Sequence, residues 1–168
     1  MTSSRAVMIA IIVAGIGLDQ ATKALAITDL APNEPVHIIS DYFQLQLLRN
    51  PGAAFSTGTS LTWVFSILAL VVLVAVSIWV VPKVQSIFWA VTIGMGMAGV
   101  AGNFIDRLVR SPGPFMGHVI DFFAVKHFAV FNVADILLVC TAILIVLDAF
   151  VFRIDLKGTR ASHNVQSR

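Results

Sequence analysis

The sequence predicts an all-α membrane protein: four transmembrane helices with a small β-strand region, a cradle, on the outer, periplasmic surface. Three observations predict it. Of the 168 residues, 58% are hydrophobic and only 12% are charged, whereas about a quarter of a soluble domain is charged. Four apolar runs approach the roughly 20 residues a helix needs to cross a bilayer. And in DYFQLQLLRN, Phe43, Leu45 and Leu47 alternate with Gln44 and Gln46, the period of a strand with one apolar face.

The first span runs from about residue 6 to 27. Arg5, the apolar run and Ala24-Leu25-Ala26 resemble a cleavable leader. Asp19 and Lys23 interrupt that run, however, four apart on one helix face where they can pair, so the segment is expected to remain as a span. The outer β region follows, about 36–58, ending in the small-residue turn NPGAAFSTG. Small residues there let another backbone come close. The second span covers about 61–81 and is expected to stop at Pro82, which cannot continue the hydrogen-bond ladder. The third covers about 87–108 and the fourth about 128–152. The tail, 153–168, is polar. The whole is a single domain, 1–168.

Lys and Arg favour the cytoplasmic side of a membrane. Arg5, Lys83, Arg153, Lys157, Arg160 and Arg168 share one side of a four-span chain. That places both termini inside and the connections of about 28–60 and 109–127 outside. The formal net charge is only +2, and no basic stripe with interleaved aromatics points to nucleic acid. The lone Cys140 lies in an apolar run and reads as a small packing residue.

With this topology Asp106, near the outer end of the third span, and Asp135, near the outer end of the fourth, lie at one depth. Asp121 sits between them in HVIDFFAV, flanked by apolar residues. NFID and NVAD repeat one arrangement: Asn103 with Asp106, and Asn132 with Asp135, three apart on a helix face. Gly96, Gly99 and Gly102 form a small face below Asn103 that permits close helix approach.

Two carboxylates held close cannot both ionise cheaply; one pKa rises and the pair keeps a proton. Such a pair can activate water and protonate a leaving amine, which is aspartyl peptide hydrolysis. The residues alone leave open which two of Asp106, Asp121 and Asp135 form it. Intramembrane acids also serve as ion-pair partners or ion paths. A small proton or cation transporter, or a channel subunit, is therefore the alternative. The four histidines show neither HExxH nor Cys at ligand spacing, so no metal is expected, and no cofactor motif is present. GxSxG is absent.

Five stretches together resemble one family, the bacterial lipoprotein signal peptidase or signal peptidase II: DQATK (Asp19–Lys23), RNPGAAFS (Arg49–Ser56), AGNFIDRL (Ala101–Leu108), VIDFF (Val119–Phe123) and FNVAD (Phe131–Asp135). Each is weak alone, but their order and placement agree from about residue 15 to 150. Two departures stand out. The family usually reads Gly-Gly-Ala where this chain has Ala98-Gly99-Val100, and the residue after the FNVAD acid is often small but here is Ile136.

The resemblance implies an intramembrane aspartyl peptidase that removes signal peptides from prolipoproteins, cutting before a cysteine that already carries diacylglycerol. It assigns the catalytic pair to Asp121 and Asp135. It gives Asn50, Gly52, Asn103, Asp106, Arg107 and Asn132 roles in substrate contact or support. Asp19 and Lys23 become a structural polar pair. The expected partners are lipid-modified prolipoproteins and membrane lipid. The expected location is the bacterial inner membrane, as a monomer with its site near the outer face.

Overall fold

The structure is a computed structural model that describes residues 3–32, 34–52 and 61–159. Four helices are long and apolar enough to cross a membrane: α1 (Ser3–Asp29), α2 (Thr62–Lys83), α3 (Ile87–Val109) and α4 (Val133–Phe152). Four strands make one antiparallel sheet in the order β1 (Val36–Ile39), β2 (Phe43–Asn50), β3 (Val119–Val125) and β4 (Val130–Phe131). The protein is thus a multi-pass membrane protein with a small sheet at one end of its helices.

α3 is the central element and packs against each of the other helices. Small residues make this possible. A side-chain carbon added at Gly99 would stand 2.7 Å from the Ala134 carbonyl oxygen on α4. Without a hydrophobic driving force inside lipid, such close backbone approach is what holds transmembrane helices together. The expected Gly96–Gly99–Gly102 face is therefore a packing face, with Thr141 opposite Gly96 and Asp19 opposite Gly102. α1 turns Met8, Gly15, Asp19, Lys23 and Ala26 inward, spacings of seven, four, four and three that mark one helical stripe. α2 buries only Thr62 and Ser66 along its regular part, and its long apolar face is open for lipid.

Two expectations need correction. The fourth helix begins at Val133, not near residue 128, because Val130–Phe131 pair with β3 as a strand. The β region likewise extends beyond 36–58: Val119–Val125, around Asp121, is the inner strand β3, bonded to β2 from Phe43↔Val125 to Asn50↔Val119. α2 closes in a tight turn over Val81–Lys83, which contains Pro82, and Val84 is extended.

The alternation in β2 is real but imperfect. Register with β3 shifts between Leu45 and Leu48, as at a bulge, and Leu48 is left exposed. The expected β region reached residue 58; Ala53–Ser60 lie outside the described residues.

Two apolar clusters sit at opposite ends. Ala26, Ile120, Phe122 and Val133, with Leu45 and Leu47 packed on them, join the sheet to α1 and α4. Met8, Val84 and Ala90 close the far end, together with Trp89 and Leu156. There the chain after α4 folds back. Asp148 accepts from the Ile154 amide at 2.9 Å, and the Leu156 carbonyl accepts from the Gln85 and Ser86 amides.

Candidate active site

All ten residues singled out in the sequence gather where the sheet meets α1, α3 and α4. Two layers can be distinguished by their partners.

The inner layer is ionic. Lys23 is wholly buried and its Nζ lies 2.9 Å from Asp19 and 2.7 Å from Asp106. It also donates to the Asn103 side-chain oxygen at 2.9 Å. Asp106 has a second cation, Arg110, at 2.6 Å. Burying charge costs several kcal/mol per ion unless it is paired and hydrogen-bonded, and here the remaining lone pairs are used. Asp19 accepts from the Ala134 amide, Asp106 from the Ile120 amide, and Gln20 donates to both acids. One network therefore ties α1, α3, β3 and the start of α4 together. Gly102 makes room for it, since an added side-chain carbon would lie 2.5 Å from an Asp19 oxygen.

The outer layer holds two acids on a frame of amides. Asn132 caps α4: its side chain accepts from the Asp135 amide, and Asp135 accepts from the Asn132 amide, both at 3.1 Å. This reciprocal cap fixes Asp135 in the first turn. The Asn132 side-chain nitrogen then donates to Asp121 at 2.6 Å and to Asn103 at 3.1 Å. Asn103 donates to the other Asp135 oxygen at 2.9 Å. Asn50, on β2, donates to the second Asp121 oxygen at 2.9 Å. The two acids are thus each one hydrogen bond from Asn132, and Lys23 links to Asp135 through Asn103.

Burial pushes the Asp121 carboxyl up to about 6; the Asn50 and Asn132 donors oppose that shift, and the negative charge of Asp135 adds to it. Asp121 is 2% exposed, whereas Asp135 is half-buried.

Gly52 and Arg107 form the rim. Gly52 has φ +93° and donates its amide to Asn50. An added side-chain carbon would meet Phe65 at 2.9 Å, so both conformation and space favour glycine. Arg107 reaches over Phe65, 5.9 Å from its ring centre, and donates to the Asn103 carbonyl. Its Nε is buried without a partner among the described residues.

The chain matches the family model described as Signal peptidase (SPase) II over residues 11–151. It belongs to the signal peptidase II family. Among similar curated proteins, the lipoprotein signal peptidase of Mycolicibacterium smegmatis is 46% identical over 85% of this chain. That of Mycobacterium avium is 45% identical over 86%, and that of Streptomyces coelicolor 41% over 86%. The matched part is 61% of the M. smegmatis protein, 80% of the M. avium protein and 71% of the S. coelicolor protein. A solved bacterial membrane enzyme structure superposes with a TM-score of 0.68 at 29% identity, covering 86% of this chain and 92% of that one. A second gives 0.67 at 27% identity, covering 92% and 93%.

Within this family frame, two partners of the site escaped the sequence reading. Arg107 follows Asp106 in the chain, but the cations that pair with Asp106 are Lys23 and Arg110. Adjacent helix positions do not face each other, whereas i and i+4 do, so the Asp106–Arg110 spacing was the usable signal. Gln20, inside DQATK, bridges Asp19 and Asp106; nothing in its spacing marks that role.

Proposed function

We propose that this protein is an aspartyl endopeptidase that removes signal peptides from diacylglyceryl-modified prolipoproteins, cutting N-terminal to the lipidated cysteine. Asp121 and Asp135 are its catalytic dyad. The observation that carries this reading is the shared Asn132 frame, whose backbone N–H donates to Asp135 and whose side-chain amide donates to Asp121.

A dyad with one proton is suited to amide hydrolysis. Asp121, raised toward neutrality, is the holder of that proton. The more accessible Asp135 takes a proton from water as the water oxygen bonds to the scissile carbonyl carbon. Asp121 protonates the carbonyl oxygen. Collapse of the resulting diol breaks the C–N bond; one acid gives a proton to the leaving amine while the other takes the hydroxyl proton. The dyad again holds one proton. Asn50 and Asn132 orient Asp121, and Asn103 orients Asp135. The Arg107 Nε, buried and without a partner among the described residues, is a donor for a substrate carbonyl once the substrate displaces what covers it. Asp106, Asp19 and Lys23 support from below.

The site faces the outside of the inner membrane, with both termini cytoplasmic, and one copy suffices. This orientation follows the positive charges and puts the acids where a lipid-anchored substrate surfaces. The acids gather at the sheet end and do not form a series across the membrane, as an ion path requires.

The test uses purified protein in liposomes without any gradient. Release of signal peptide from a lipid-modified precursor supports the peptidase. Ion flux without cleavage replaces it with the transporter.

A further inference from the structure

Outside the acid network, Arg49, Ser111, Pro112, Met116 and His118 line a cavity of about 500 Å³. Arg49 pairs with Ile120, and Leu48 with Asp121. Neighbouring positions on a strand point to opposite faces, so Arg49 turns away from the dyad.

Backbone bonds fix the frame of this cavity. The loop between α3 and β3 is closed where the His118 amide donates to the Ser111 carbonyl at 3.1 Å and the Gly117 amide to the Arg107 carbonyl at 3.0 Å. A side-chain carbon added at Gly117 would stand 2.8 Å from the Arg110 carbonyl oxygen, so the loop is packed on the end of α3. Its middle is tied to α2, where the Ser66 hydroxyl donates to the Phe115 carbonyl at 2.7 Å. Ser111 and His118 are therefore held side by side, and the β2–β3 ladder brings Arg49, opposite Ile120, alongside them.

The polar ends in this frame are left over. Among the described residues, the Arg49 guanidinium, the Ser111 hydroxyl and the His118 ring have no hydrogen-bond or ionic partner. No acid occurs in 42–52 or 107–118, and Asp106, just before the second stretch, is already held by Lys23 and Arg110. The cavity is thus a set of donors without an acceptor: a guanidinium fork, a hydroxyl and an imidazole N–H. A phosphate has oxygens enough for all three, and arginine binds it through two parallel N–H bonds.

Depth supplies the source of the phosphate. The 23 residues of α3 span about 34 Å at the helical rise, against a hydrocarbon core about 30 Å thick. The last of them, Val109, is 72% exposed, and the cavity begins two residues later, at Ser111. It opens at headgroup level, with an apolar helix flank below it for acyl chains.

We propose that this cavity binds the phosphate of an anionic glycerophospholipid. The site is separate from the dyad and stands or falls independently of the peptidase reading. An occupied site anchors the sheet at the bilayer surface.

The test is native mass spectrometry of the full chain in detergent, titrated in parallel with phosphatidylglycerol, diacylglycerol and inorganic phosphate. The expected result is saturable binding of phosphatidylglycerol, at least tenfold tighter than diacylglycerol and at least tenfold weaker in Arg49→Gln. Arg5→Gln, at the far end of α1, should bind the lipid as wild type does. Ser111→Ala, at an exposed position, should weaken binding about threefold and stands in if Arg49→Gln does not fold. Three results overturn the proposal. Phosphatidylglycerol binding unchanged in Arg49→Gln, or in Ser111→Ala standing in for it, puts the lipid elsewhere. Equal retention of diacylglycerol makes the contact apolar. Inorganic phosphate bound as tightly as the lipid, with the same dependence on Arg49, makes this a site for the free ion.

Discussion

Asp121→Asn separates the cost of the site from its use. In the folded protein the Asp121 carboxyl titrates at about 6, against an ordinary value of 3.8. A group whose pKa is raised by folding contributes most below its unfolded pKa, and that contribution is lost as pH climbs through the folded value. The shift of about 2.2 units, at 1.36 kcal/mol each, corresponds to about 3 kcal/mol. The wild type therefore loses about 2–2.5 kcal/mol of this between pH 4 and 7 relative to a variant with no acid at this position. Asparagine has the shape of the protonated acid but only one acceptor oxygen, so it keeps one of the Asn50 and Asn132 donors and sets its own amide nitrogen against the other, which should leave Asp121→Asn the less stable near pH 4 by about 1–3 kcal/mol. Towards pH 7 that gap should close or reverse, and Asp121→Asn should be inactive. Unfolding in detergent at a series of pH values measures this directly. A stability difference that stays flat from pH 4 to 7 would refute the reasoning, because Asp121 would then ionise in the fold as freely as in the unfolded chain.

Other perturbations follow from the same geometry. Lys23→Met strands Asp19 and Asp106 as buried charges with a lost partner and should cost about 3–5 kcal/mol; adding Asp19→Asn should recover part of it, and a fully stable single variant in a detergent unfolding assay speaks against the network. Asn132→Ala removes the α4 cap, worth about 1 kcal/mol, and the donor to buried Asp121, worth about 1–3 kcal/mol. Its unfolding midpoint and its cleavage rate should therefore fall together. Gly102→Ala forces a methyl against Asp19 and should destabilise by about 1–3 kcal/mol, with cleavage surviving in proportion to the folded fraction.

The four helices were legible because the bilayer demands length and apolarity, and both are local properties of the chain. Asp19 with Lys23 was legible for the same reason: four residues apart is a helical contact. The sheet was only half legible. β2 announces itself by alternation, but β3 is apolar on both sides of Asp121 and is buried through its first four residues, so it has no period to read. Its pairing with β2 joins positions more than 70 apart, such as Leu48 and Asp121. The start of α4 was misplaced although the cap was in plain view: Asn132 followed by Asp135 has the spacing of a capping pair. That pair was noticed only for its shared helix face. The meeting of Asp121 with Asp135 lay beyond composition and spacing. It came from family resemblance, and only the fold supplies the physical link, an asparagine that caps a helix and grips the strand acid at once.

The most direct test of the account is cleavage of one diacylglyceryl-modified precursor by wild type, Asp121→Asn, Asp135→Asn and Asp106→Asn, side by side at equal membrane abundance. The account predicts no detectable cleavage by the first two variants and residual cleavage by Asp106→Asn. Substantial turnover by either Asp121→Asn or Asp135→Asn contradicts it.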